Sequence, residues 1–260
     1  MSDANQPVEP GLEQPFIAHL IELRDRMLRI VIALIVVVIA LSPFANDIYT
    51  FVAGPLIKAL PEGSQMISTG VAAPFLVPLK LAVIAAVFLT IPYTLYQLWS
   101  FIAPGLYAHE KKLALPLLVA SVALFYCGVA FAYFAVFPLM FGFFATVAPE
   151  GVTVMPDIAA YLDFAMSMFL AFGAVFEIPI AVIFMVLIGI TTVDALAEKR
   201  PYVIVGAFVV AMFLTPPDVV SQTSMAVPMW FLFELGLVFA RIMLKFKKQS
   251  AAERGEQSLD

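Results

Sequence analysis

PYTLYQLWSFIAPGLYAHEKK, residues 92–112, joins two long apolar runs, and its reading decides how the rest of the chain is taken. An apolar helix arrives at Pro92 and Tyr93. Tyr96, Gln97, Trp99 and Phe101 follow, an aromatic group of the kind enriched at a membrane–water interface. Pro104-Gly105 marks a turn, and His109, Glu110, Lys111 and Lys112 come next at the surface. Two readings fit these residues. One is an aromatic belt with inside-facing lysines. The other is a stiff docking platform, carrying the carboxylate of Glu110, for a positively charged peptide.

The composition places this loop between membrane spans. Of 260 residues, 63% are hydrophobic and 13% charged, against about 45–50% apolar and about 25% charged in an ordinary soluble domain. The chain reads as an all-α polytopic membrane protein, one integral membrane domain over 1–260. A single cysteine, Cys127, rules out an intrachain disulfide and reads as a small apolar filler. His19 and His109 both flank spans, so neither metal-ligand spacing nor an intramembrane base for serine chemistry is present. No enzyme, cofactor, metal or nucleic-acid partner is expected. There is no internal repeat to support an inverted-repeat transporter.

Residues 1–15 are polar and rich in Pro, Glu and Gln, which predicts a disordered tail. A helix from Phe16 to Arg29 lies at the interface and leads into the first span. Six spans are expected, at about 30–44, 74–98, 113–148, 158–190, 201–215 and 219–244, with a polar tail over 245–260. Pro138 is expected to kink the third. The apolar run 202–214 has only 13 residues, or ~20 Å at ~1.5 Å per residue against ~30 Å of hydrocarbon, so the last two spans read as a short hairpin. Twelve of the 14 Lys and Arg, all but Lys58 and Lys80, fall in segments that six spans place on one side. That side is the cytoplasm, and both termini lie there.

Four carboxylates stand out. Glu177, in FGAVFEIPIAV, sits mid-span, where a charge costs ~2.5–3.5 kcal/mol on insertion scales. It reads either as a neutral group bonded to a neighbouring helix or as a groove residue, with Pro179 freeing a carbonyl nearby. Glu22, two residues before Arg24, reads on its own as a solvated charge in a local ion pair. Glu234 and Arg241 share a helix face and suggest a structural pair, and Asp218 suggests a cap. A cap for a short helix within the loop 191–200 is expected from Thr191 or Asp194. Lys80 is expected to snorkel outward.

Five stretches in register resemble the TatC family of twin-arginine protein translocases, in its proteobacterial type. They are HLIELRDR (19–26), YQLWSFIAPGLYAHEKK (96–112), FEIP with Glu177, KRPY (199–202) and TPPDVVSQ (215–222). No departure occurs at these positions. The resemblance implies six helices in a cupped, concave arrangement in the cell inner membrane. It implies a receptor for twin-arginine signal peptides of folded cargo, assembling with the single-span proteins TatA and TatB in a multi-copy complex within the lipid bilayer, powered by the proton-motive force. It further implies signal-peptide binding at Glu22 and Glu110, supported by Leu20, Arg24, Phe101, Pro104 and Gly105. Glu177 would face the concave groove, Met212, Thr215 and Gln222 would meet the partner proteins, and Pro55 would belong to an external cap. The competing reading is a secondary transporter or channel, with Glu177 and Lys80 lining a solute path.

Overall fold

Within hydrocarbon a single segment can satisfy its own backbone N–H and C=O groups only as a helix. The computed structural model describes residues 13–59, 67–102, 111–147, 155–214 and 218–256, and among them the regular elements are helical, with one isolated β-type bridge between Ile67 and Asp157. Five stretches are long and apolar enough to cross a membrane: Ile17–Gly54, Ala73–Ile102, Ala114–Met140, Ile158–Leu187 and Val219–Lys245. Arg200–Leu214 is a shorter apolar helix. The turn expected at Pro104-Gly105, residues 60–66 and 215–217, and Glu110 itself lie outside the described residues.

Pro43, Pro138 and Pro179 accompany interruptions of the helices, whereas Pro92, Pro116 and Pro228 lie inside them. Helix α1 (Glu13–Leu41) runs through the expected interfacial segment into the first span without interruption, then a 3₁₀ turn containing Pro43 leads into α2 (Ala45–Ala59). Helix α3 (Ala73–Ile102) packs along α1. The 113–148 run is one rod in three parts: α4 (Lys111–Phe131), a π-helical stretch over Ala132–Val136, and α5 (Phe137–Val147). Pro138 has no N–H and would crowd the carbonyl four residues back, and the widened π turn lies immediately before it. The 158–190 stretch, expected as one helix, is two: α6 (Ile158–Val175) and α7 (Ile178–Leu187). Pro179 cannot donate to the Val175 carbonyl, so the ladder opens at Phe176 and Glu177. Gly189, at φ 78, takes the chain out of α7 in the left-handed region that favours glycine.

Helix α8 (Val193–Glu198) is capped by Thr192, whose hydroxyl accepts from Ala195 N at 3.2 Å, rather than by Thr191 or Asp194. Helix α9 (Arg200–Leu214) is short, as expected. Helix α10 (Val219–Glu256) is not: its 38 residues continue through the stretch expected as a polar tail. Between Gly236 and Gly255 there is neither Gly nor Pro to stop it.

Two internal prolines are served by tyrosines. Pro55 in α2 and Pro92 in α3 leave the carbonyls of Phe51 and Phe88 without their helical donors. Tyr133 donates its hydroxyl to Phe51 O at 3.0 Å, and Tyr126 donates to Phe88 O at 2.8 Å. The two tyrosines are seven apart on the rod that begins with α4, hence on one face. They wall an apolar cavity of about 410 Å³ together with Leu81 and Phe169. Elsewhere the helices meet at glycines. A Cβ on Gly128 would lie 2.4 Å from Phe172 O, and one on Gly236 would lie 2.9 Å from the Pro179 Cα. Small residues let membrane helices approach this closely. Cys127, expected to be buried filler, faces outward. Lys80 pairs with Asp163, bridging α3 and α6, where a snorkelling side chain was expected.

Candidate functional site

The first half of the site is the junction of α1 with the end of α3. Glu22 and Arg26 lie four apart on α1, a spacing that brings side chains together on a helix. The Arg26 guanidinium donates to Glu22 Oε1 from Nη2 at 2.6 Å and from Nε at 3.0 Å. It also reaches across to Gln97 Oε1 at 3.1 Å and to the Ser100 carbonyl at 3.2 Å. That carbonyl is one of the orphan acceptors at a helix C-terminus, where a cation is favoured. Gln97 is buried and donates in turn to the Tyr93 hydroxyl at 2.8 Å. The His19 ring stacks on Phe101 with centroids 4.1 Å apart, and His19 Nδ1 lies 3.8 Å from Glu22 Oε2. Glu22 therefore has one oxygen held by Arg26 and the other on the open side, its side chain 38% exposed.

The local partner of Glu22 is thus Arg26, not the Arg24 suggested by proximity in sequence. Arg24 turns away and pairs with Asp25 at 2.8 Å. Leu20 is exposed on the same helix, and Phe101 is half-buried. The fold brings Glu22 and Phe101 to one junction. Pro104, Gly105 and Glu110 lie outside the described residues.

The second half is inside the bundle. Glu177 stands at the break between α6 and α7, half-buried, and its Oε2 accepts from Ser121 Oγ of α4 at 2.5 Å. The Trp99 indole N–H donates to the same Ser121 oxygen at 3.4 Å. Ser121 is 1% exposed, and Trp99 is buried against Phe184 and the α4–α7 packing. Glu177 Oε1 is buried with no hydrogen-bond partner among the described residues. Glu177 is thus bonded to a neighbouring helix, one of the two expectations for it, and keeps one acceptor unused among the described residues.

At the α9–α10 hairpin, Glu234 takes both of its oxygens to Arg200, at 2.5 and 2.9 Å. It does not pair with Arg241 as expected; Arg241 lies 3.8 Å from Asp194. A planar guanidinium fits two carboxylate oxygens at once, and α9 lies along α10 with Arg200 opposite Glu234. Asp218 caps α10, accepting from Ser221 N at 2.7 Å. Met212 is exposed near the end of α9, Gln222 is half-buried in the first turn of α10, and Thr215 lies outside the described residues. Pro55 lies within α2.

Asp157 ties residues 67–69 to the start of α6. Its Oδ2 accepts from Thr69 Oγ1 at 2.6 Å and Thr69 N at 2.9 Å, and its Oδ1 accepts from Ala159 N and Ala160 N. The Thr69 hydroxyl, the Thr69 amide and the α6 amides together hold the carboxyl down at about 2. A depressed carboxylate contributes its stability above the ordinary Asp range and loses it as pH falls through about 2. The cap therefore stays intact through any ordinary pH.

Reading the residues alone missed Arg26, Ser121 and Asp157. For Arg26 the signal was present, since Glu22 and Arg26 are four apart. Ser121 offered only a lone hydroxyl in a 36-residue apolar run. Among the described residues no group of three His, Cys, Asp or Glu is placed to hold a metal ion.

Long apolar helices whose few charges are paired with one another or gathered at the bundle ends define a multi-pass, all-α membrane protein. Comparison with known proteins narrows the class. The model of the Sec-independent protein translocase protein (TatC) family matches residues 18–228. The Sec-independent protein translocase protein TatC of Haemophilus influenzae is 57% identical over 245 residues, covering 94% of this chain and 96% of that one. Its counterpart in Escherichia coli K12 is 58% identical over 228 residues, 88% of each. A crystal structure of the twin arginine translocase receptor TatC superposes with a TM-score of 0.77 at 34% identity, covering 86% of this chain and 98% of that one. The chain belongs to the TatC family, a family of protein translocase components.

Proposed function

We propose that this chain is the receptor and core component of a twin-arginine translocation system in the cell inner membrane. In this reading six spans, α9 being the shortest, form a cupped body with both termini in the cytoplasm. The α1–α3 junction then faces the cytoplasm and takes the signal peptide of a folded cargo protein. Glu22 and Glu110 each accept one guanidinium of the arginine pair, and Leu20, Phe101, Pro104 and Gly105 seat the peptide's apolar part. Arg24, turned toward Asp25, belongs to the rim. TatA and TatB dock beside Met212, Thr215 and Gln222, where a helix as short as α9 shares hydrophobic mismatch with a short partner span. Pro55 belongs to the external cap, and Glu177 acts in the groove after docking. The proton-motive force drives export.

The observation that carries the reading is Glu22 itself: one oxygen is fixed by an arginine anchored on α3, while the other lies 3.8 Å from His19 Nδ1 beside an aromatic stack. An anchored acceptor shielded by rings suits a planar guanidinium better than the compact ammonium of lysine. The test is a pull-down with a folded reporter carrying an Arg-Arg signal peptide or its Lys-Lys version. The Arg-Arg reporter is expected to bind, and Glu22→Ala or Glu110→Ala to weaken it roughly ten- to a hundredfold without lowering the amount of inserted protein. Equal capture of both reporters by the unaltered chain would sink the reading.

A further inference from the structure

The last two turns of α3 face two ways. Gln97, Ser100 and Phe101 meet α1 through Arg26 and His19. Trp99, between them in sequence, turns to the opposite side and meets Ser121 and Phe184. Ser121 spends its hydroxyl in both directions, accepting from the Trp99 indole at 3.4 Å and donating to Glu177 Oε2 at 2.5 Å. It is 1% exposed, and its α4 neighbours Leu117, Leu118 and Leu124 are apolar. Glu177 stands where the α6–α7 ladder is already open, and the backbone there does not by itself fix the carboxyl's direction.

We propose that Ser121 is the positioning residue of Glu177, that Trp99 holds Ser121, and that this relay ties the intramembrane carboxyl to the end of α3 that bears the docking junction. The proposal rests on the reading of Glu177 as a residue of transport. Its geometry leaves Glu177 Oε1 buried and without a hydrogen-bond partner among the described residues, its direction set by the bond of Oε2 to Ser121. Movement of the α3 end on peptide binding moves Trp99 and so re-aims that acceptor.

The test uses the full-length protein in membranes. The infrared band of the Glu177 carboxyl is located by its disappearance in Glu177→Gln. In Ser121→Ala that band is expected to shift, and in Trp99→Phe, which keeps an aromatic ring and removes the N–H, to shift less. Transport of a folded Arg-Arg reporter is expected to fall roughly two- to tenfold in Ser121→Ala, the value of one hydrogen bond, at unchanged amounts of inserted protein. Adding Ser121→Ala to Glu177→Ala is expected to change nothing further. An unmoved band in Ser121→Ala, or losses that multiply in the double variant, would overturn the tether. If Glu177→Ala alone transports normally, the role of Glu177 in transport fails, while the infrared arm still decides whether Ser121 positions it.

Discussion

Arg26 does more than neutralise Glu22. It binds the carboxylate twice and also donates to Gln97 and to the Ser100 carbonyl, so one side chain holds the acceptor and ties α1 to α3. This separates two accounts of the junction. If the site attracts a cationic peptide by net charge alone, Arg26→Gln should tighten binding, since it removes a positive charge. If the site works because Glu22 is held in place, the same substitution should weaken it. Hydrogen bonds to charged groups are worth about 1.5–3 kcal/mol each, and losing the anchor is expected to lower signal-peptide affinity roughly tenfold. Titration of a fluorescent Arg-Arg signal peptide against membranes containing each variant measures this directly. Tighter binding by Arg26→Gln would rule out the anchored-acceptor account.

Helices α2 and α3 contain prolines far from their ends, and each helix survives because α4 and its π-helical continuation supply what proline removes. Tyr133 covers the Phe51 carbonyl that Pro55 leaves open, and Tyr126 covers the Phe88 carbonyl that Pro92 leaves open. A carbonyl left unsatisfied away from water costs about 1–3 kcal/mol, so Tyr133→Phe is expected to destabilise the protein by about that amount while keeping the ring's stack on Phe51. Pro55→Ala restores the backbone donor, and in that background Tyr133→Phe is expected to cost less than half as much. Unfolding titrations of the four members of this cycle measure the coupling, and strict additivity would show that the hydroxyl does not stand in for the missing N–H. The same elements show what was legible from residues alone. Apolar runs and prolines announced long apolar helices and a distortion at Pro138, because a lipid environment leaves the backbone so few options. The partners of the polar groups were not legible. Glu234 pairs with Arg200 and Lys80 with Asp163 across helix contacts that no local spacing encodes, and pairing Glu234 with Arg241 was the wrong inference from a correct helical period.

At the scale of the whole molecule, orientation turns on how the two ends of the bundle differ. One gathers Arg24, Arg26, the α8 turn with Lys199 and Arg200, and the cationic stretch of α10 from Arg241. The other holds the Asp157–Thr69 cap and the Asp218 cap and, in the described residues, no cation beyond Lys58 and Lys80. Lys and Arg near span ends set orientation, so the first end is expected inside. The length of α10 belongs to the same argument: the stretch Val219–Lys245, 27 residues, is long enough to cross, and the helix runs on to Glu256. Single-cysteine labelling is the measurement. Cys127 faces outward from the bundle, so the background must be Cys127→Ala. Cysteines at positions 5, 108, 197 and 250 are expected to react only with a reagent that crosses the membrane. Those at positions 62, 150 and 218 are expected to react with an impermeant one added from outside. Position 108 decides most, because it lies two residues before Glu110. If it is labelled from outside, six spans with an inward-facing junction are wrong, and the signal-peptide site cannot lie where α1 meets α3.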